Sequence, residues 1–411
     1  MDNSVNDQQA PKKEPVLKKS VSVTTIVVAI ISLGVGLFFG YNQRFLQASI
    51  FSLLGEKMST SEIDLSDVQY TFQKLKANFD GELDEEALIR GASRGLVEAA
   101  GDDYTVFLDV EEVAEFNSDM TGSIGGGVGA ELYQKDGHVT IARVLENTPA
   151  KKSGLMAGDV IVSVNDENVL GKKTDEVVKK IRGDVGTTVK INILRDSQQI
   201  DFVVTREIIS VPSVTSKTLE DGTLILSVIR FDEETASLMR QAVQAQKDKG
   251  SLKGIVLDLR DNGGGYLDAA VKAAGIWLND KKVVIQKTGN KVIDEETTGH
   301  NAIAKGVPTI VLVNGATASA SEILAGALSD YDVAMIVGTR TFGKGSVQSL
   351  FSLPGDNKLK VTVARWYTPH GVNITKQGIK PDVEVVLDDQ KAENARDNQL
   401  DEAVKLLYDG K

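Results

Sequence analysis

The chain has no cysteine, which excludes disulfides, thiolate metal sites and cysteine nucleophiles. Histidine is scarce, with three residues in 411, and none is grouped with carboxylates at metal-ligand spacing. A basic excess is also lacking, because 46 basic residues stand against 58 acidic ones and give a formal charge of −12. The only basic cluster is near the N-terminus, which argues against a phosphate-binding surface. We therefore expect no metal, no cofactor and no nucleic-acid partner.

Long uncharged runs are rare, and the main example is near the N-terminus. Residues 21–39, VSVTTIVVAIISLGVGLFF, have about the length that crosses a bilayer as a helix. Lys18 and Lys19 precede them, and lysines favour the cytoplasmic side. The pattern predicts a cytoplasmic tail over 1–20, a transmembrane signal anchor over 21–41 and a single-pass cell-membrane protein with an extracytoplasmic body. A cleaved signal peptide, for which no A-x-A-like site is evident, and a buried core helix are the alternatives.

The rest of the chain predicts a multidomain protein of the α+β and α/β classes. Helical spacing of apolar residues predicts a helical N-terminal region over 42–118. Short β runs between Gly, Asn and Asp turns predict a β-rich domain over 119–208. Strands alternating with helices predict an α/β domain over 209–395, with a central sheet buried on both faces. A C-terminal helix is expected over 396–411, and the helical segments at both ends leave a homodimer open.

A glycine-rich segment, GGGVGA, occupies residues 125–130 and superficially fits a dinucleotide fingerprint. That fingerprint must open a helix, whereas a β run follows here. Consecutive small residues can instead present backbone N–H groups to a carboxylate. The segment therefore predicts a carboxylate-binding loop, with a flexible turn as the alternative.

Three polar loops follow apolar strands of the α/β domain: DLRDNGGGYL, VNGATASASE and VGTRTFGKGS. Ligands tend to bind beyond the carboxyl ends of such strands, so we expect the site there. The third loop is close to the phosphate-binding pattern G-x-x-x-x-G-K-[ST], but Gly345 replaces the hydroxyl residue and a strand-like segment follows. A nucleotide hydrolase is therefore a minor alternative.

Lys344 lies among Phe342, Gly343 and Gly345, a setting that could bring its amine into partly dry surroundings. Burial favours the neutral amine, and a neutral lysine can accept the proton of a serine hydroxyl. A solvated surface lysine is the alternative. His370 is the only histidine that we consider for a Ser-His-Asp arrangement.

Ser319 begins a predicted helix in NGATASASEIL, where Ser319 and Glu322 fit a capping box. The amide after Ser319 and the glycines of DNGGG could donate to an oxyanion, although a plain strand-to-helix turn explains those glycines as well.

These motifs, in this order, resemble those of the carboxyl-terminal processing peptidases, or tail-specific serine proteases. Two further segments add to the resemblance: TPAKKSGLMAGDVIVSVND and YTPHGVNITKQGIKPD. The resemblance implies a PDZ domain that binds polypeptide C-termini and a crotonase-related serine protease domain. It implies a serine endopeptidase in which Ser319 is the nucleophile, Lys344 is the general base and Gln348 orients the lysine. It also implies oxyanion donors at Ala320 and Gly264, and an accessory acidic residue at Asp330.

The same resemblance implies that the glycine-rich segment is the carboxylate loop of the PDZ domain, with Gly126, Gly127, Val128 and Gly129 as its peptide-binding residues. We further expect Arg182, at the end of a PDZ helix, to contact the protease domain and gate the site. The partners implied are polypeptides with free C-termini and a membrane. A catalytically inactive PDZ scaffold is the alternative from another functional class.

Overall fold

The structure is a computed structural model that describes residues 27–28, 30–36, 63–135, 137–145, 147–388 and 396–409. It divides into two compact units, Met1–Glu85 and Glu86–Lys411. In the first unit, 27–28 and 30–36 are helical, and α1 spans Ser66–Asn78. Among the residues described, we find no helix with both the length and the apolarity needed to cross a bilayer. The predicted tail over 1–20 and most of the predicted anchor over 21–41 lie outside the described residues.

The second unit begins with two helices that precede the β-rich domain. Helix α2 spans Glu85–Glu98, β1 spans Val106–Leu108 and α3 spans Val110–Thr121. A capping box starts α3, because Glu112 N–H donates to Asp109 Oδ1 at 3.0 Å and Asp109 N–H donates to Glu112 Oε2 at 2.9 Å. The helix therefore has a fixed starting point just after β1.

The β-rich domain is a sheet in the order β3-β4-β5-β7-β8, with β6 on β5 and a separate pair of β2 and β9. Side chains alternate across a strand, and Val189, Ile191 and Ile193 of β7 all point into the core at 1% exposure or less. The bounds are β2 Ser123–Gly127, β3 Ala130–Lys135, β4 His138–Val144, α4 Pro149–Ser153, β5 Val160–Val164, β6 Glu167–Asn168, α5 Thr174–Ile181, β7 Thr188–Arg195, β8 Gln198–Thr205 and β9 Glu207–Ser210.

The α/β domain contains two sheets. The first has the order β10-β11-β12-β15-β16-β19 and is parallel except at β10; the second has the order β1-β18-β13-β14, with β17 on β18. The bounds are β10 Val214–Thr218, β11 Thr223–Val228, α6 Thr235–Asp248, β12 Gly254–Asp258, α7 Leu267–Ala274, β13 Lys282–Thr288, β14 Lys291–Thr297, β15 Thr309–Val313, α8 Ala320–Asp330, β16 Ala334–Gly338, β17 Ser346–Ser352, a 3-10 turn Pro354–Asp356, β18 Lys358–Tyr367, β19 Val383–Glu384 and α9 Asn398–Asp409.

The first sheet is buried on both faces, as the continuous apolar strands predict. On β12, Leu257 joins the core shared with α6, α7 and α8, whereas its neighbour Val256 joins a core on the opposite face. Helix α9 covers that opposite face with Ala403 and Leu407, both buried. The apolar side of the C-terminal helix is thus used within its own domain.

Parallel pairing brings the ends of β12, β15 and β16 to one edge of the sheet. The three polar loops of the sequence leave the sheet there, over 259–266, 314–319 and 339–345. They are joined to one another, since Ala318 N–H donates to Asn262 O at 3.0 Å and Phe342 N–H donates to Thr317 O at 3.0 Å. This edge positions the candidate site.

Candidate active site

Ser319 lies at the turn between β15 and α8, in an unusual backbone conformation. Its φ is 58° and its ψ is −119°, a combination that costs about 1–3 kcal/mol in a residue other than glycine. Its N–H donates to Glu322 Oε2 at 2.9 Å, which forms the glutamate half of the predicted capping box. The half-buried Ser319 lines a cavity of about 340 Å³. A strained serine at a strand-to-helix turn is an arrangement that exposes a hydroxyl for nucleophilic attack.

The neighbouring hydroxyls have structural partners. Thr317 Oγ1 donates to Leu259 O at 2.8 Å, and Ser321 Oγ donates to Asn262 O at 3.0 Å. Both residues are fully buried, and both fasten the loop after β15 to the loop after β12. Ser319 is therefore the hydroxyl of this segment that belongs to the cavity.

Lys344 lines the same cavity from the loop after β16. Its amine lies 5.2 Å from the centre of the Tyr104 ring. Burial lowers the pKa of the Lys344 amine, the nearby charge of Lys360 lowers it further, and Glu322 opposes the shift. The direction is the one that a lysine general base requires, because only the neutral amine can accept a proton.

Glu322 is a residue of the site whose full role sequence reasoning missed. It is fully buried, and four donors reach its carboxylate: Ser319 N at 2.9 Å, Thr341 Oγ1 at 2.5 Å, Gly343 N at 2.7 Å and Lys344 N at 3.0 Å. Burial raises the pKa of Glu322, and these hydrogen bonds oppose the rise. The carboxylate thus ties the turn of Ser319 to the loop of Lys344. The capping-box pattern was the available signal, but it indicates only the local bond.

Gln348, on β17, also lines the cavity. Its Nε2 donates to Ser346 Oγ at 2.9 Å and to Thr362 Oγ1 at 3.3 Å. These partners fix the amide group close to Lys344, and they are hydroxyls rather than the lysine amine.

The two predicted oxyanion donors differ in their surroundings. Gly264 has a φ of 108°, and a Cβ there would lie 2.7 Å from Ser319 Cβ, so the position requires glycine. Its N–H donates to the buried Asn262 Oδ1 at 2.9 Å. Ala320 provides the first amide of α8, where helical amides have no partner within the helix. The N–H of Ala320 is therefore available to an oxyanion directly. The N–H of Gly264 becomes available only when its hydrogen bond to Asn262 breaks.

A second concave surface lies in the β-rich domain, between β3 and α5. The strand β3 pairs with β4 along one edge, and its other edge faces this groove of about 400 Å³. Of the predicted loop, Gly127, Val128 and Gly129 line the groove. Gly126 packs instead against Gly183, since a Cβ at Gly126 would lie 2.0 Å from Gly183 O.

Comparison with protein families matches both regions. The PDZ domain profile matches residues 126–205 and the profile of peptidase family S41 matches residues 222–385. A Staphylococcus aureus protein named "Probable CtpA-like serine protease" is 34% identical over 366 residues, which are 88% of this chain and 71% of that protein. The chain belongs to peptidase family S41. Both matched segments fall within the domains predicted over 119–208 and 209–395.

Other relatives give the same picture of the family. A protein of the same name from Staphylococcus epidermidis is 34% identical over 325 residues, which are 78% of this chain and 65% of that protein. The chain therefore spans a little under two thirds of the length of that relative. Among solved structures, a photosystem II D1 C-terminal processing protease is 29% identical, with 84% of this chain and 91% of that chain covered and a TM-score of 0.49.

Asp330 lies at the far end of α8 from Ser319 in the S41 domain. Eleven residues of helical rise separate the two by about 16 Å. Asp330 Oδ2 accepts a hydrogen bond from His370 N–H at 2.7 Å, and neither residue lines the cavity. The structure therefore places Asp330 at the end of α8, hydrogen-bonded to the turn that contains His370, and does not bring it to Ser319.

Arg182 follows the last residue of α5 in the PDZ domain and lines the groove with an exposed side chain. In the part of the chain that the structure describes, we find no hydrogen bond or ion pair from its side chain to the S41 domain. The predicted contact of Arg182 with the protease domain is therefore not found among these bonds.

The phosphate-binding loop and metal ligation can also be compared with the structure. The segment GTRTFGKGS continues into strand β17, whereas a phosphate-binding loop requires a helix. Across the described ranges, no group of three or more metal-ligating side chains is found.

Proposed function

We propose that this protein is a membrane-anchored serine endopeptidase that binds free polypeptide C-termini through its PDZ domain and cleaves with Ser319 and Lys344. The observation that carries the proposal is the shared cavity, which holds a strained serine and a half-buried lysine whose pKa is lowered. Membership of peptidase family S41 and the serine protease names of the relatives support the same activity.

The chemistry that follows is covalent catalysis. Neutral Lys344 accepts the proton of Ser319, the serine oxygen attacks a peptide carbonyl, and the amine returns the proton to the leaving nitrogen. Water then hydrolyses the acyl-enzyme, with Lys344 as the base. Ala320 N–H, and Gly264 N–H once it leaves Asn262, stabilise the oxyanion. Gln348, which hydrogen-bonds to the hydroxyls of Ser346 and Thr362, stabilises the part of the cavity wall that includes Lys344.

The PDZ domain supplies tail recognition in this proposal. An extended tail would add to the open edge of β3, and its carboxylate would meet the amides around Gly127, Val128 and Gly129. Arg182 borders the groove, and in this proposal its interaction with a bound tail would increase cleavage by the S41 domain. We expect Arg182→Ala to reduce the stimulation of cleavage by a tail peptide, and unchanged stimulation would contradict this gating role.

The membrane anchor rests on the uncharged run over 21–39, preceded by Lys18 and Lys19. We expect the full chain to remain in carbonate-washed membranes and to be digested by protease added outside the cell. A chain that starts at residue 42 should leave the membrane fraction. Recovery of the full chain in the soluble fraction would contradict the anchor.

The activity is tested with an unfolded protein that carries a free apolar C-terminus. We expect the parent to cleave it and Ser319→Ala and Lys344→Ala to lose cleavage. Ser329→Ala, on the same helix, and Lys305→Ala, at an exposed position, are matched controls that should cleave as the parent does. Cleavage by Ser319→Ala equal to the parent would refute the assignment. Tail binding without cleavage by the parent would favour the PDZ scaffold.

A further inference from the structure

The cavity around Ser319 has an uneven charge. Two lysines line it, Lys344 and Lys360, and none of its other lining residues is Asp or Glu. Lys344 has a chemical role in the proposed mechanism, whereas Lys360 has none. A cation in a partly dry cavity without an acid needs a further explanation, since buried charges are usually paired.

Lys360 is held in the cavity by its strand and by a ring. It lies on β18, opposite Leu350 of β17 and Val106 of β1. Its amine is 5.5 Å from the centre of the Phe116 ring of α3. Burial alone lowers the pKa of Lys360, with no carboxylate acting against the shift.

Two other lysines of the same sheet have polar partners. Lys282, on β13, pairs with Glu295 at 2.8 Å. Lys358 lies two residues before Lys360 on β18, and its amine donates to Ser352 Oγ at 2.8 Å. Within the described ranges, no Asp or Glu forms an ion pair with Lys360. The amine of Lys360 is therefore open to a carboxylate from outside the chain.

The walls beside Lys360 suit a peptide segment with a carboxylate. Phe116, Met120 and Leu350 line this side and offer apolar surface to the aliphatic part of a substrate residue. In such surroundings a charge pair is stronger than in water. Lys360 lines the same cavity as Ser319 and Lys344, so a substrate residue that contacts its amine would lie near the bond that Ser319 attacks.

We propose that Lys360 forms a carboxylate-binding subsite of the catalytic cavity, so that cleavage favours substrates with a carboxylate at one fixed position near the scissile bond. The carboxylate is either an Asp or Glu side chain or the C-terminus itself. This inference rests on the proposed peptidase activity.

The test uses the full chain and quenched fluorogenic peptides with an amidated C-terminus. Glu is compared with Gln at each of three positions on either side of the cleaved bond, which mass spectrometry locates. We expect kcat/KM to be about tenfold or more higher for Glu at one position. The preference should vanish in Lys360→Met, persist in Lys360→Arg and change to a preference for a Lys peptide in Lys360→Glu. Lys358→Met is the matched control and should keep the preference for Glu.

The C-terminal source is tested with the same peptides as free acids. If the free acid is cleaved with a higher kcat/KM than the amide and Lys360→Met removes this difference, the C-terminal carboxylate binds at this subsite. If the difference in kcat/KM remains in Lys360→Met, the free C-terminus is recognised by the PDZ groove. Binding of each peptide to Ser319→Ala, with and without Lys360→Met, gives a second readout that needs no turnover.

Three results would overturn the subsite. The parent could show no preference for Glu at any position, or Lys360→Met could retain the preference. In the third result, Lys360→Met lowers kcat/KM equally for all peptides and moves the pH profile upward. The last result would mean that Lys360 acts only through Lys344. Failure of the peptidase proposal has a different signature, because Ser319→Ala would then cleave every peptide as the parent does.

Discussion

The PDZ groove and the cavity around Ser319 are both concave and of similar volume, about 400 and 340 Å³, but they present different chemistry. The groove is lined by glycines, the open edge of β3 and apolar side chains, with Glu131 and Arg182 at charged positions. The cavity holds two lysines and a serine hydroxyl beside the glycines of the loop after β12. Glycine substitutions should therefore crowd the backbone in either place, whereas only those at the cavity should affect proton transfer.

The largest effect should come from Glu322→Ala. The change leaves three amides and one hydroxyl in the buried loops without their acceptor. We expect about 3–5 kcal/mol of lost stability, because each buried unsatisfied group costs about 1–3 kcal/mol and the loops can relax in part. Cleavage should also disappear, and chemical denaturation together with a peptide assay measures both effects.

Glu384→Ala is the control for this change, since Glu384 is exposed on β19 of the same domain. Its stability and activity should stay close to those of the parent. A stable and fully active Glu322→Ala would show that this carboxylate does not hold the serine turn and the lysine loop together.

The next effect should come from Gly264→Ala. Its new Cβ would lie 2.7 Å from Ser319 Cβ and 2.9 Å from Ala318 O, at a φ of 108°. We expect kcat to fall about 10²–10³-fold, the range for loss of an oxyanion donor, with binding of a tail peptide to the PDZ domain unchanged. Gly299→Ala, where a Cβ meets open space, is the control. Activity within twofold of the parent would argue against an oxyanion role for this loop.

A smaller and separable effect is expected in the groove from Gly129→Ala. The new Cβ would lie 2.3 Å from Thr148 Cβ, at a φ of 82°. Binding of a tail peptide should weaken about tenfold or more in a titration, while hydrolysis of a short peptide that bypasses the PDZ domain stays within twofold. Gly137→Ala is a close control, because Gly137 has a φ of 78° and open space around it. Equal weakening in both variants would assign the effect to backbone strain alone.

Sequence reasoning reached the main features of the fold and the cavity because their signals are local. Apolar strands followed by glycine-rich or hydroxyl-rich loops predict which loops meet at the sheet edge, and family motifs then point to Ser319 and Lys344. Bonds between distant loops leave no such signal. Glu322 fits a capping box, and nothing in its neighbours indicates that it also accepts from Thr341, Gly343 and Lys344.

Other differences have the same origin. Asp330 shares a helix with Ser319, but helical rise carries it to the opposite end. The bond from Gly264 N–H to Asn262 depends on a side-chain rotamer that no sequence pattern specifies. Lys360 occurs in an ordinary strand sequence, and only the packing of α3 and β17 around β18 places it in the cavity.

The most direct test of the central claim measures how fast Ser319 is sulfonylated as pH changes. A small sulfonyl fluoride is added to the full chain, and mass spectrometry follows modification of Ser319. Because burial lowers the pKa of Lys344, the fraction of neutral base grows with pH through a midpoint below the ordinary lysine value of about 10.4. We predict that the sulfonylation rate rises through such a midpoint and that Lys344→Ala abolishes the rise. An unchanged pH profile in Lys344→Ala would contradict the Ser319 and Lys344 pair.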